Sequence, residues 1–452
     1  MKDDGALRRV IGFWGGTALI IGITIGSGIF RKPPTIAGLV HDPIIILALW
    51  TAFGVISVCG ALTIAELSSM IPRAGGVYVY LRSAYGDSVA FVYGWLELLV
   101  AAPAAMGALA TVLGEFLLDL VGVAPAPWHI PAIAIVAIAL LASANLRGAE
   151  VGSGVQSVFT AIKVAALALI IAAIFLFGHG ALRNLTTGTG EPLHLSALAR
   201  AVASVIWTYD GWVAISMIAG EMIAPEKLMK RVIIAGMFVI VALYLGANVA
   251  YHYMVPVGEM ASYKAAIARI IVSEIAGPAA GAAIVLAISA SVFGALNGNI
   301  LARPRIAYAM ARDGLSFGFL GRAHRRWATP HWAIVIQSAV GIILVLCLRD
   351  FDKLTTYFVV AEWFSLIFAI AAVFVLRRRL PDAVRPYRTP GYPWVPLLFV
   401  IGTSLGLAAI VWGELRERNW SPVWGLLIVL AGFPIYSLWR AAGGGSRPVV
   451  DH

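Results

Sequence analysis

Hydrophobic residues run along this chain in long blocks rather than in alternation. Block after block exceeds 18 apolar positions, with short polar stretches between them. Runs of that length read as membrane-crossing helices, whereas a barrel would show brief segments of period two. The pattern predicts twelve spans, at 12–38, 43–71, 86–120, 129–146, 151–177, 196–223, 228–256, 279–311, 330–349, 353–376, 395–415 and 421–439. Segment 259–276 (EMASYKAAIARIIVSEIA) mixes polar and apolar positions and reads as an interfacial helix lying on the membrane. The expected fold class is an all-α membrane protein.

Two spans interrupt themselves. The first contains GITIGSGIF (22–30), with Gly22, Gly26, Ser27 and Gly28 near mid-depth. The sixth contains WTYDGW (207–212), with Asp210-Gly211 at its centre. A helix break frees backbone N–H and C=O groups, which are costly in hydrocarbon unless they line a cavity or meet a ligand. Amides that open the second half-helix attract an anion, and carbonyls that end the first attract a cation. An amino-acid zwitterion carries both charges a short distance apart. For either break alone, small residues that serve only helix packing are the simpler alternative. Breaks at the start of two units five spans apart predict an inverted five-plus-five repeat. The first repeat is expected at 12–177 (helices 1–5) and the second at 196–376 (helices 6–10). Helices 11–12 follow at 395–439, with cytoplasmic tails at 1–11 and 440–452.

Composition agrees. The chain is 60% hydrophobic and 12% charged, against about 25% charged in a soluble domain. A net charge of +10 could suggest nucleic acid, but the basic residues sit at span ends. With the N-terminus in the cytoplasm, 22 of the 33 basic residues fall inside and 10 outside, with Lys163 left within a span. That asymmetry predicts both termini on the cytoplasmic side of the cell (inner) membrane. The polar start, MKDDGALRRVIG, has no small-residue cleavage site, and the first apolar run exceeds a signal-peptide core, so it reads as a retained span. Cys59 and Cys347 lie in apolar runs, which argues against a disulfide scaffold. The eight histidines stand mostly at loops or span ends without a metal-binding or catalytic pairing. No enzyme activity, cofactor, metal or nucleic-acid partner is expected. A channel would need a continuous polar pore, but polar mid-span positions are few and local.

Lys163, in FTAIKVAALALI, is the most informative single residue. Snorkelling would require its tip to reach about 15 Å, so a functional role is the reading. Glu66 and Glu221 sit toward cytoplasmic ends beside Arg73 and Lys227, where gate or structural pairing is expected. Glu115 reads as interfacial, and Glu97 and Glu362 as deeper. Glu362 could line the substrate path or belong to an internal hydrogen-bonded pair.

GITIGSGIF and WTYDGW resemble the signatures of the amino acid–polyamine–organocation superfamily, and the chain is most similar to its L-amino acid transporter family. The likeness continues through AELSSMIPRAGGVYVYLRSAYG (65–86), NLRGAEVGSGVQSVFTAIK (145–163), FGALNGNILARPRIAYAMARDG (293–314) and RPYRTPGYPWVP (385–396). The resemblance implies a LeuT-type fold and alternating access. It implies that amides around Gly26, Ser27 and Gly28 hold a substrate carboxylate. Carbonyls of Thr24, Trp207 and Asp210 would hold its ammonium, with Gly211 at the second break and Trp207 as the aromatic gate. Lys163 would take the place of a sodium ion beside the first break, with Ser291 as partner and Ser289 as runner-up.

The implied activity is sodium-independent transport, as an exchanger of neutral L-amino acids. Val213 and Ala214 near the second break are apolar and favour a neutral side chain. Asp210 and Glu362 keep cationic substrates or polyamines in play, and proton symport and a nontransporting sensor are further alternatives. Asp210 departs from the glycine of some family members. It could face the substrate, turn away to solvent or cap a half-helix, and capping is the expectation. Eukaryotic members join a heavy chain through a cysteine between spans 3 and 4. Here that loop is VGVAPAPWH, so no disulfide-linked heavy chain is expected, and the compact termini resemble a prokaryotic member.

Overall fold

The computed structural model describes residues 7–124, 126–263, 266–348 and 351–443. Lys2, Lys264, Arg349 and Arg447 of the charge count, the side chain of Lys353, and positions 444–452 of the expected tail lie outside the described residues.

Among the described residues, ten helices or helix pairs are long and apolar enough to cross a membrane. They are Phe13–Val40 (span 1), Pro43–Met70 (span 2), Asp87–Val121 (span 3), His129–Leu146 (span 4), Ala149–Phe177 (span 5), Pro225–Met254 (span 7), Pro278–Arg312 (span 8), Phe358–Arg379 within span 10, Trp394–Arg416 (span 11) and Pro422–Ala441 within span 12. Two shorter apolar helices, Leu195–Tyr209 and His331–Cys347, supply spans 6 and 9. The twelve expected spans are all present. Most of their ends lie close to expectation because lipid demands long apolar runs and turns demand their own chemistry; span 6, expected to 223, stops as a helix at Tyr209. At span 2, for example, Asp42 Oδ1 accepts from Ile44 N at 2.8 Å and Ile45 N at 3.1 Å, with Pro43 at the first helical position.

The spans sort into a centre and a periphery. Spans 1 and 3 bury 83% and 89% of their apolar windows inside the protein, whereas spans 5 and 12 bury 28% and 22%. The outer ring turns Leu169, Phe238 and Leu405 outward, as a lipid-facing surface requires. Span 2 packs on span 7, span 3 on span 8 and span 4 on span 9. Each of these helices thus meets its counterpart five spans later, which is the contact pattern of an inverted repeat.

Two regions differ from the expectation. Segment 259–276 is not one helix lying on lipid. It holds Val257–Met260 and Ile267–Ala276, and the second helix buries Ile267, Ala268, Ile271 and Val272 against spans 5 and 8. Its apolar stripe has a protein partner. Span 8 likewise comes as two helices, because Pro304, which has no N–H to donate, starts a second helix, Pro304–Arg312, directly after Pro278–Ala302.

Candidate functional site

Span 1 is helical over Phe13–Thr24 and again over Gly28–Val40. In the gap Ile25 N still donates to Ile21 O at 2.8 Å, while Gly26 N folds back to Thr24 O at 2.9 Å. Among the described residues the N–H groups of Ser27, Gly28 and Ile29 have no backbone acceptor. They are the orphan donors of the second half-helix and carry the positive end of its dipole. The Thr24 and Ser27 hydroxyls are buried beside them with no hydrogen-bond partner. Of the three amides expected to face a ligand, that of Gly26 is engaged within the break, and those of Ser27 and Gly28 are not.

The carbonyl side of the break is closed by Lys163. Its Nζ donates to Gly22 O, Ile25 O and Ser291 O, each at 2.7 Å. Three acceptors match the three N–H bonds of an ammonium. Ser291 Oγ also donates to Ile25 O at 3.1 Å, whereas Ser289 bonds Val285 O in its own helix. Tyr244 of span 7 ties the two breaks together, its hydroxyl lying 2.6 Å from Thr24 O and 2.9 Å from Thr208 O.

Span 6 stops at Tyr209 and resumes as the short helix Ala214–Met217. Gly211 between them has φ +114°, and a Cβ there would come within 2.8 Å of Ile23 and 2.9 Å of Thr24 N. Only glycine allows both the dihedral and the close approach of span 1. Asp210 does not cap the short helix, which has no side-chain cap bond. Its Oδ1 accepts from Trp363 Nε1 at 3.2 Å, and its Oδ2 lies 3.6 Å from Arg303 Nη2. The capping role gives way because a buried guanidinium is the stronger partner for a carboxylate.

A cavity of about 30 Å³ lies between the breaks. Thr24, Gly26, Ser27, Gly28, Trp207 and Asp210 line it, all of them expected site residues. Gly211, Val213 and Glu362 do not line it, and Lys163 and Ser291 stand behind span 1. From outside the two broken spans, Ala105 and Leu109 of span 3, Asn299 of span 8 and Phe358 of span 10 join the wall. None of these four carried a sequence signal beyond ordinary apolar or amide character. Trp207 packs edge-on against Phe358, with centroids 5.3 Å apart and planes at 88°. The indole also borders a second hollow of about 260 Å³, lined by Lys32, Thr35, Arg200, Ser204, Thr355 and Glu414. One aromatic layer thus separates the cavity from a polar vestibule at the end remote from the chain termini.

The termini end is sealed more heavily. Arg305 Nε and Nη2 meet the two Glu221 oxygens at 2.7 and 3.1 Å, with both side chains fully buried. Val10 and Ile11 N–H groups donate to Glu221 O, and Ile11 bridges to Met222. Arg73 and Arg82 both pair with Asp313, at 3.2 and 2.8 Å. Glu66 accepts from Arg377 at 2.9 and 2.7 Å and from Thr389 N at 2.7 Å. The pairing expected for Glu66 and Glu221 is present with different partners, because nearness in sequence to Arg73 and Lys227 does not set nearness in space. Glu115 pairs with Arg31 at the partly exposed remote end.

Arg303, one of the basic residues assigned to the cytoplasmic side by the charge asymmetry, is instead buried in the bundle among Glu97, Asp210 and Glu362. Sequence reasoning missed it. The usable signal was Pro304, which marks a helix change inside an apolar run.

Comparison with known proteins agrees with this geometry. The profile of the amino acid permease family matches residues 11–433. The chain is 31% identical to the serine/threonine exchanger SteT of Bacillus subtilis, covering 96% of this chain and 97% of that protein. It is 29% identical to the human b(0,+)-type amino acid transporter 1, over 99% of this chain and 92% of the relative. It is 28% identical to the human cystine/glutamate transporter, over 97% and 86%. Broken spans around a midplane cavity and a family profile that covers nearly the whole sequence lead to one assignment: the chain belongs to the amino acid permease family, within the amino acid–polyamine–organocation superfamily.

Proposed function

We propose that this protein exchanges neutral L-amino acids across the cell membrane by alternating access, without sodium. The observation that carries the reading is the pair of complementary ends in one cavity. Unpartnered amides of Ser27, Gly28 and Ile29, with the free Thr24 and Ser27 hydroxyls, suit a carboxylate. The Trp207 carbonyl and the Asp210 main chain suit an ammonium, whereas Thr24 O already accepts from Gly26 N and the Tyr244 hydroxyl. Apolar Ile23, Ala105, Leu109 and Phe358 leave space for an uncharged side chain. A cavity of about 30 Å³ has room for little more than water, so substrate entry requires the Trp207–Phe358 layer to part. Lys163 holds the carbonyls that a coupling cation would otherwise take.

Similarity to the serine/threonine exchanger of Bacillus subtilis supports serine as the first substrate to try. The basic residues, 22 − 1 = 21 against 10 once Arg303 is removed, support cytoplasmic termini in an inner membrane. No cysteine stands between spans 3 and 4, which supports action without a disulfide-linked heavy chain. Asp210 on the cavity wall favours a second reading, a cationic substrate. Counterflow of labelled L-serine into proteoliposomes, competed by alanine, leucine and arginine, decides between them. Inhibition by alanine is expected. Inhibition by arginine alone would overturn the neutral reading, and absence of all counterflow would favour a sensor.

A further inference from the structure

Behind the cavity wall, four buried side chains meet with unequal charge. Arg303 Nη1 contacts both Glu97 oxygens at 2.9 Å, and the same nitrogen lies 3.5 Å from Glu362. Nη2 lies 3.6 Å from Asp210, and Nε donates to Asn299 Oδ1 at 2.7 Å. Three carboxylates and one guanidinium, all ionised, would sum to −3 + 1 = −2. A bundle interior does not hold that excess without a further cation or a proton.

The geometry identifies the proton. Both Glu362 oxygens are fully buried and accept no hydrogen bond. Glu97 and Glu362 approach the same guanidinium nitrogen, so they face one another. The centre of the cluster is filled by that guanidinium, and among the described residues no group of His, Cys, Asp or Glu is arranged to hold a metal. The titratable and charged groups that face Glu362 are Tyr93 and Glu97 from span 3, Asp210 from span 6 and Arg303 from span 8. Span 9 contributes the uncharged Gln337, whose Nε2 donates to Glu97 O at 3.1 Å.

We propose that Glu362 binds one proton, shared with Glu97 across Arg303, and that this proton sets how much negative charge Asp210 shows to the substrate cavity. The inference rests on the transporter reading. With the proton bound, Arg303 is divided between Glu97 and Asp210. When the proton leaves Glu362 for bulk water, the Glu97–Glu362 pair draws the guanidinium toward itself. Asp210 is then freed toward the cavity, where it attracts the substrate ammonium. Substrate binding and loss of the proton favour one another, and the coupling is reciprocal.

The test uses the purified protein in weakly buffered detergent with a pH indicator, titrated with L-serine across about pH 5 to 8. The wild type should release up to one proton per serine bound, and its affinity should rise with pH by up to about tenfold per unit. Glu362→Gln and Glu97→Gln should each bind serine without releasing a proton and with a flat pH profile. Serine binding by the wild type with no proton released, or full release retained in Glu362→Gln, overturns the proposal and leaves the transporter reading standing. Failure of L-serine to bind overturns the neutral-substrate reading and the inference with it. If neither variant folds, the proton count of the wild type decides alone.

Discussion

Behind the first helix break three carbonyls converge on the Lys163 ammonium, whereas beside the second break three carboxylates converge on the Arg303 guanidinium. The first arrangement is closed. Every N–H of the ammonium has an acceptor at 2.7 Å, and each of those oxygens has gained a donor. The second is open, with an excess of carboxylates and two Glu362 oxygens that accept nothing. A closed set fixes backbone geometry, because any movement loses a bond that water cannot replace. An open set leaves room for rearrangement. One break thus forms a rigid wall and the other a responsive one, and Tyr244 holds the two in register.

The strongest way to break this comparison is to remove the closing cation. Lys163→Met keeps much of the side-chain volume but leaves Gly22 O without a donor, while Ile25 O keeps Ser291 Oγ and Ser291 O lies within its own helix. One buried acceptor left unpaired should cost about 1–3 kcal/mol of stability. The Ser27–Ile29 amides would also lose their fixed position. Serine exchange should fall at least about a hundredfold, since small misplacement of a binding group carries that scale of cost. Thermal unfolding in detergent and counterflow in proteoliposomes measure the two effects. Exchange that survives within a few fold would show that the first break is not held by Lys163.

Glycines sharpen the comparison with a smaller effect. A Cβ on Gly28 would fall on the Thr208 hydroxyl, so Gly28→Ala should disturb the packing of the two breaks and lower stability. A Cβ on Gly26 would meet Ala295 and Leu109, both at 3.5 Å, and Ile23 O at 3.8 Å, all ordinary contacts. Gly26→Ala should therefore fold normally. Its methyl group would still crowd a cavity of about 30 Å³, and serine affinity should fall about tenfold. Equal melting temperatures for the two variants, or unchanged serine affinity in Gly26→Ala, would contradict this division of roles.

The same contrast explains what the sequence made legible. Spans could be read because lipid forces long apolar runs, and the first break could be read because Gly26, Ser27 and Gly28 interrupt one. Lys163 stood out as a charge with no route to an interface. These are local signals. Arg303 gave none of comparable strength, standing just ahead of Arg305 and Arg312 in a stretch that looked like a basic exit loop. What buries it is Glu97, 206 residues earlier, and Glu362 on another span. Glu66 and Arg377, 311 residues apart, teach the same lesson. A charged residue's neighbours along the chain do not reveal its partners across the bundle. Proline at 304 marked where one helix gave way to the next, but not what lay beside the junction.

The smallest expected effect is that of sodium. Replacing external and internal sodium with choline should leave the rate of serine exchange unchanged. The argument follows from the closed set. A sodium ion beside the first break would need oxygen ligands, and the Gly22, Ile25 and Ser291 carbonyls are already engaged by Lys163. It would also stand against a positive charge in a low-dielectric setting, where repulsion is strong. The carboxylate cluster offers no substitute, because its centre is occupied by a guanidinium and its link to the cavity runs through Asp210. Strong stimulation by sodium would mean that Lys163 leaves its three carbonyls during the cycle. The first break would then be the moving wall, and the roles assigned to the two breaks would have to be exchanged.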